Sequence, residues 1–196
     1  MRSESLIAGI VLGLPAGLSP GPMLTLVISQ TLQHGVREGL RVAVAPLVSD
    51  APVVALALWA AAAVSRTNTA LAVLSLAGAA FLAFLAAGCL RSRGIHTGAQ
   101  PAAHSLAKAV AVNLLNPHPY LFWFTVGAPL LLRDWRSGAA NAVGFLAAFY
   151  IGLVGSKVLV ALLAGRGRRL LTGRAYVWIM RTLGVALLGF AALFAR

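Results

Sequence analysis

A chain of 196 residues with 60% hydrophobic and 10% charged residues falls outside the composition of water-soluble domains and points to an integral membrane protein. Its net charge of +12 does not indicate nucleic acid as a partner, because Arg and Lys stand in short runs between apolar stretches and not along one polar face; anionic lipid head groups suit that arrangement. Cys89 is the single cysteine, which excludes an internal disulfide, a C-x-x-C redox pair and a thiolate zinc site, and the His and carboxylate residues are too scattered for a metal cluster, so no metal or cofactor is expected.

At roughly 20 apolar residues per spanning helix, the length predicts an all-α membrane protein of six transmembrane helices with nothing large attached. The first span covers about Leu6 to Gln33 and is interrupted by Pro15-Ala16-Gly17-Leu18-Ser19-Pro20-Gly21-Pro22, so it reads as two half-helices around an unwound centre. A second span, Arg41 to Val64, carries Pro46, Asp50 and Pro52, and the third, Ala70 to Leu90, is uniformly apolar. Residues 91–108 form a polar linker whose Arg91, Arg93, Gly94, Gly98, Pro101 and Ser105 suit a flexible connection. Span four, Ala109 to Leu132, contains Asn113 and the break Asn116-Pro117-His118-Pro119; span five, Ala139 to Leu163, contains Lys157; span six runs from Tyr176 to Phe194.

Loops rich in Lys and Arg stay in the cytoplasm. One side holds Arg37, Arg41, Arg91, Arg93, Lys108, Arg166, Arg168, Arg169 and Arg174, the other Arg2, Arg66, Arg133, Arg136 and Arg196, which places both termini outside. The start, Met1 to Ser5, lacks the strong basic region of a cleaved signal peptide.

A weak internal repeat relates the two halves. Ser19-Pro20-Gly21-Pro22 matches Asn116-Pro117-His118-Pro119, Gly78 to Phe84 lines up with Gly184 to Phe190, and Ser49-Asp50 falls on Ser156-Lys157. Residues 1–90 then form one three-helix repeat and 109–196 the second. Three spans is an odd number, so the second repeat enters the membrane in the opposite sense, giving the inverted topology common in transporters.

Backbone groups freed by proline have no water to pair with in lipid and are tolerated only where buried or lining a cavity. Half-helices that open at Pro22 and Pro119 would aim free N–H groups and the positive ends of their dipoles at a shared cavity, where an amino-acid carboxylate fits. Asp50 and Lys157 are the intramembrane charges, each costing about 2.5 to 3.5 kcal/mol at a helix centre. Asp50 can take a substrate ammonium or exchange a proton with it, and Lys157 can meet the substrate carboxylate or pair with Asp50; a permanent packing salt bridge, or snorkelling of Lys157, is the alternative. Asn113 and Asn116 offer donors and acceptors to a zwitterion or to freed backbone, or glue between helices. His118 sits in the second break and is a candidate proton relay, whereas His34, His96 and His104 are placed in loops. Trp59, Trp123, Trp135 and Trp178, with Tyr120, Tyr150 and Tyr176, are placed mostly in interface belts. Small-residue faces such as Gly78, Ala79, Ala83 and Gly88 permit a homodimer.

Pro20-Gly21-Pro22, the following Gly35-Val36-Arg37-Glu38-Gly39, Asp50 in span two and Asn116-Pro117 in span four together resemble the LysE/RhtB amino-acid translocators over nearly the whole chain. The resemblance implies proton-motive-force-driven export of amino acids from a bacterial cytoplasm, through the inner membrane, with the two helix breaks beside the transport path. Two departures stand out. Ala45-Pro46-Leu47-Val48-Ser49 precedes Asp50 where members carry a glycine-rich approach, and His118 stands where members often carry a lysine after Asn-Pro, which leaves Lys157 as the lysine placed to meet a substrate carboxylate. Competing functions are a divalent-metal or other ion exporter, which would want paired acids in the breaks, and a non-transporting membrane scaffold. An intramembrane hydrolase would have to use Ser156 with His118, and neither a Gly-x-Ser-x-Gly context nor a third orienting group accompanies them; no enzyme activity is expected.

Overall fold

The computed structural model describes residues 3–64, 76–77, 79–80, 82–84, 87, 90–91, 105–166, 177–178, 181–182, 185, 188–189 and 192. Its elements are helical throughout: α1 Ser3–Leu18, α2 Pro22–His34, α3 Val36–Val44, α4 Pro46–Val64, α5 Ser105–Leu115, α6 Pro117–Phe122, a π-helical turn Trp123–Gly127, α7 Ala128–Arg136 and α8 Ala139–Arg166. Among the described residues two stretches, Val36–Ala61 and Ala139–Arg166, are long and apolar enough to cross a membrane, and the pair α1 and α2, bent by 62° at its break, makes a third if counted as one span. Most of the expected third and sixth spans, the linker from residue 92 to residue 104, and His96 and His104 lie outside the described residues.

The first break is narrower than the proline pattern predicts. Helix α1 runs through Pro15 to Leu18, and Ser19 N–H still donates to the Pro15 carbonyl at 2.7 Å. A single proline removes one donor, which a packed helix absorbs; Pro20 and Pro22 remove two within three residues, with Gly21 fully extended between them (φ −175°, ψ −177°). Proline at the first position of α2 lacks only an N–H that would be unbonded anyway. Helix α2 ends at His34, which is therefore helical and exposed, and Gly35 turns the chain at φ +91°, its N–H donating to the Thr31 carbonyl at 3.0 Å.

Helix α3 starts at Val36, five residues before the expected second span, so Arg37 lies in its first turn and Arg41 in its last, with Arg41 paired to Glu38. Gly39 lies where any side chain would meet Thr31 of α2, so the two glycines of the G-x-R-x-G motif have separate tasks, one turning the chain and one letting α3 close on α2. Pro46 cannot donate, and α3 passes into α4 through a one-residue turn at Ala45.

In the second half the expected fourth span is three α-helices, α5, α6 and α7, with the π-helical turn between the last two. The break is Asn116 alone: α5 ends at Leu115 and α6 opens at Pro117, not at Pro119 as the Pro-x-Pro comparison suggests. Asn116 explains the shift, since its side chain accepts the His118 backbone N–H at 3.2 Å as a helix N-cap. The last four residues assigned to the linker, Ser105–Lys108, already belong to α5.

Helix α1 packs along α8 through Gly9, Gly13 and Gly17, where added side chains would meet the backbone or side chains of Phe145, Ala148, Phe149, Leu153 and Ser156. Small residues at this spacing let two membrane helices approach at backbone distance. One apolar cluster gathers Leu12, Val53, Ala57, Phe122, Trp123, Phe145 and Phe149; a second gathers Leu24, Val27, Val42, Ala109, Val160 and Ala164. Leu18, at the end of α1, touches both. Ala79 is buried and Ala83 packs on the first cluster, so these two positions of the proposed dimer face serve the chain's own interior; Gly78 and Gly88 lie outside the described residues.

Candidate functional site in the helix breaks

Both helix breaks open on one cavity with about 690 Å³ of empty space, part of it open to solvent. Ser19, Pro20, Gly21 and Pro22 of the first break line it, as do Asn116, His118 and Pro119 of the second, together with Asp50 from α4, Asn113 from α5 and Lys157 from α8. Pro117, which opens α6, does not line it.

Asp50 is buried to 3% exposure and is held from several sides. Asn113 Nδ2 donates to its Oδ1 at 2.7 Å and to Ser49 Oγ at 2.8 Å, while Ser49 donates to the Ala45 carbonyl at 3.0 Å. The Tyr150 hydroxyl reaches Oδ2 at 3.5 Å. Asn113 thus ties α5 to α4, which explains a buried amide in an apolar helix: each polar atom taken from water must find a partner.

Lys157 is equally buried, at 3%. Its Nζ donates to the Gly17 carbonyl at 3.1 Å, in the last turn of α1, where the helix break has removed the backbone donor that would continue the ladder. A cation there also meets the negative end of the α1 dipole. No ion pair joins Lys157 to Asp50: the salt bridges among the described residues are Arg41 with Glu38 and Arg133 with Asp134. The two opposite charges line one cavity and attract across it without closing it.

Helix α2 opens toward the cavity at Gly21, which offers no side-chain cap, and Met23 and Leu24 of its first turn line the wall. Their backbone N–H groups belong to the set a helix N-terminus leaves without intrahelical partners. At the second break the His118 N–H is spent on Asn116, and the Leu114 carbonyl, which then lacks its usual donor, accepts the Tyr120 hydroxyl at 2.8 Å. The His118 ring lies tilted by 42° against Phe84, with ring centroids 5.8 Å apart.

Five aromatic residues belong to this region that sequence reasoning assigned elsewhere or passed over. Trp123 is 1% exposed and Tyr150 touches Asp50, so neither is an interface anchor, and Tyr120 serves the second break; Trp59, Trp135 and Trp178 are the exposed tryptophans. Phe122 and Phe149 stack 4.8 Å apart, and Trp123 lies 5.3 Å from each and 6.3 Å from Tyr150. The remaining wall is apolar: Ala16, Met23, Leu24, Pro46 and Leu153. Spacing alone hides this group, because an aromatic in an apolar helix reads identically whether it faces lipid or a cavity. Ser156, by contrast, donates its hydroxyl to Leu153 at 3.1 Å and does not line the cavity that holds His118, so the residues an intramembrane hydrolase would need are not assembled.

Broken apolar helices around a buried, charged, partly open cavity define a membrane translocator. The chain belongs to the LysE type translocator family, which it matches over residues 15–196, bearing out the resemblance carried by its motifs. It is 31% identical over 114 residues to the leucine efflux protein of Enterobacter sp. (strain 638), a stretch of 54% of this chain and 54% of that protein, so the match spans about half the length of this relative. No solved structure matches the chain.

Proposed function

We propose that this protein exports amino acids from the cytoplasm as a proton-coupled antiporter, with the cavity between the helix breaks as its substrate site. The observation that carries the reading is the pair of buried, opposite charges, Asp50 and Lys157, that share one cavity without an ion pair. Burying both is costly, and a zwitterion bridging them repays the cost: its ammonium at Asp50, its carboxylate at Lys157 and the open N-terminus of α2. The apolar wall of Met23, Leu24, Phe122, Phe149 and Leu153 suits an aliphatic side chain, and the name of the relative makes leucine the first solute to try. A proton and the substrate ammonium compete for the Asp50 carboxylate, so a protonated Asp50 and a bound substrate exclude one another, which is the elementary requirement of antiport.

The architecture that fits this function has six spans in two inverted repeats, residues 1–90 and 109–196 joined by a linker, in a bacterial inner membrane with both termini outside. It is supported by the helix restarts at Pro22 and Pro117 and by Asp50 and Lys157 reaching one cavity from α4 and α8. Alternating access then follows from movement of the broken helices around a fixed site. Efflux of an amino-acid panel from proteoliposomes, with and without an imposed pH gradient, tests the proposal: gradient-dependent efflux of aliphatic amino acids is expected, and no efflux of any amino acid from folded, inserted protein refutes it.

A further inference from the structure

We propose that Asn113 is a second acceptor for the substrate ammonium, its side-chain carbonyl working beside Asp50, so that the site selects amines bringing at least two N–H donors. The inference rests on the export reading for its substrate class and deepens it at one pole. Orientation of the amide follows from its neighbours. The Ser49 hydroxyl gives its proton to the Ala45 carbonyl at 3.0 Å, so toward Asn113 it can only accept, and an ionised carboxylate is likewise acceptor-only. Asn113 must therefore turn its NH2 group to both, spending one hydrogen on Ser49 at 2.8 Å and the other on Asp50 at 2.7 Å. The carbonyl oxygen is left over. Among the described residues the amide makes no other hydrogen bond, and with Asn113 lining the cavity that oxygen is accessible from it.

The spacing lets one nitrogen use both acceptors. The oxygen and nitrogen of an amide lie about 2.2 Å apart, which puts Asn113 Oδ1 within about 5 Å of Asp50 Oδ1. Two hydrogen bonds of about 2.8 Å leaving one tetrahedral ammonium reach acceptors about 4.6 Å apart. Asp50 keeps room for its share: of the roughly four lone-pair positions of a carboxylate, Asn113 occupies one and the Tyr150 hydroxyl, at 3.5 Å, another. An amine with a single N–H would satisfy Asp50 and leave the Asn113 oxygen covered and unpaired. A site built on polar partners rejects an analogue that lacks one far more strongly than an apolar pocket rejects a misplaced methyl.

The experiment compares leucine, N-methyl-leucine and N,N-dimethyl-leucine as competitors of leucine counterflow in proteoliposomes, and as ligands of the purified protein by titration calorimetry. The first methyl leaves two N–H donors and the second leaves one. Leucine and N-methyl-leucine should therefore bind within about threefold of one another, and N,N-dimethyl-leucine about tenfold or more weaker. In Asn113→Leu, of similar volume, that step at the second methyl should shrink to about threefold or less. An Asn113 that serves structure alone would lower all three affinities together and leave the step in place. No loss, or an even decline over the two methyls, in the unaltered protein overturns the second acceptor, as does an undiminished step in folded Asn113→Leu. Asn113→Ala, checked by thermal melting in detergent, repeats the comparison if the Leu variant misfolds, and the series in the unaltered protein needs no variant. Leucine counterflow without the step overturns the acceptor alone, whereas absence of leucine binding and counterflow overturns the export reading and the acceptor with it.

Discussion

Replacing Asp50 by Asn keeps the shape of the side chain and removes its charge. The amide can still meet the Tyr150 hydroxyl, but one of its ends now presents hydrogens, and the 2.7 Å bond from Asn113 survives only if the oxygen stays on that side. Hydrogen bonds to charged groups contribute about 1.5 to 3 kcal/mol against about 1 kcal/mol for neutral ones, while the insertion cost of about 2.5 to 3.5 kcal/mol for a buried charge disappears. These changes offset, and the variant should fold with a melting temperature close to that of the parent. Binding is another matter: two unit charges 4 Å apart attract by about 4 kcal/mol at an effective dielectric constant of about 20, close to a thousandfold in affinity. Leucine counterflow and gradient-driven efflux, measured beside thermal melting in detergent, should therefore show a folded protein with transport reduced to background. Transport within a few-fold of the parent would refute the reasoning, because it would show that the ammonium binds elsewhere.

Lys157→Met keeps the length of the side chain, strands the Gly17 carbonyl and removes the carboxylate partner; substrate affinity should fall by about a hundredfold, the scale of a lost charge-assisted pair, as read by counterflow at rising leucine concentration. Asn116→Ala removes the N-cap of α6 and should cost about 1 kcal/mol of stability in denaturant unfolding, whereas Asn116→Asp should restore most of it. Gly13→Leu drives a branched side chain into the α8 backbone at Phe149; overpacking costs about 1 to 3 kcal/mol, and the expected readout is a lowered melting temperature with loss of transport, against near-parental behaviour for Gly155→Leu, where an added Cβ meets nothing.

The helix breaks were legible in the sequence because proline acts through local covalent geometry, which needs no neighbour to be understood. Their exact extent was not, since it depends on how many lost hydrogen bonds packing absorbs: Pro15 is carried inside α1, and Asn116 starts α6 two residues before the Pro-x-Pro comparison places it. Asp50, Lys157 and Asn113 could be picked out because a charge or amide in an apolar run is conspicuous whatever it faces. Trp123 and Tyr150 could not, because the direction an aromatic faces around a helix is decided by helices far away in the chain. Ser49 was hidden for a related reason, its hydroxyl acquiring meaning only when α5 brings Asn113 to it.

The glycine seam between α1 and α8 has a consequence for how the protein is made. Neither α1, with 16 residues, nor α2, with 13, is long enough to cross a bilayer of about 20 helical residues alone, and the partner that covers the first of them begins at Ala139. During synthesis the opening segment must wait, bent and half-covered, until some two-thirds of the chain has followed it, a long-range closure of the kind that makes folding slow and exposes intermediates to misassembly. Substitutions along Gly9, Gly13 and Gly17 should therefore reduce the yield of inserted protein before they alter the behaviour of any molecule that completes its fold.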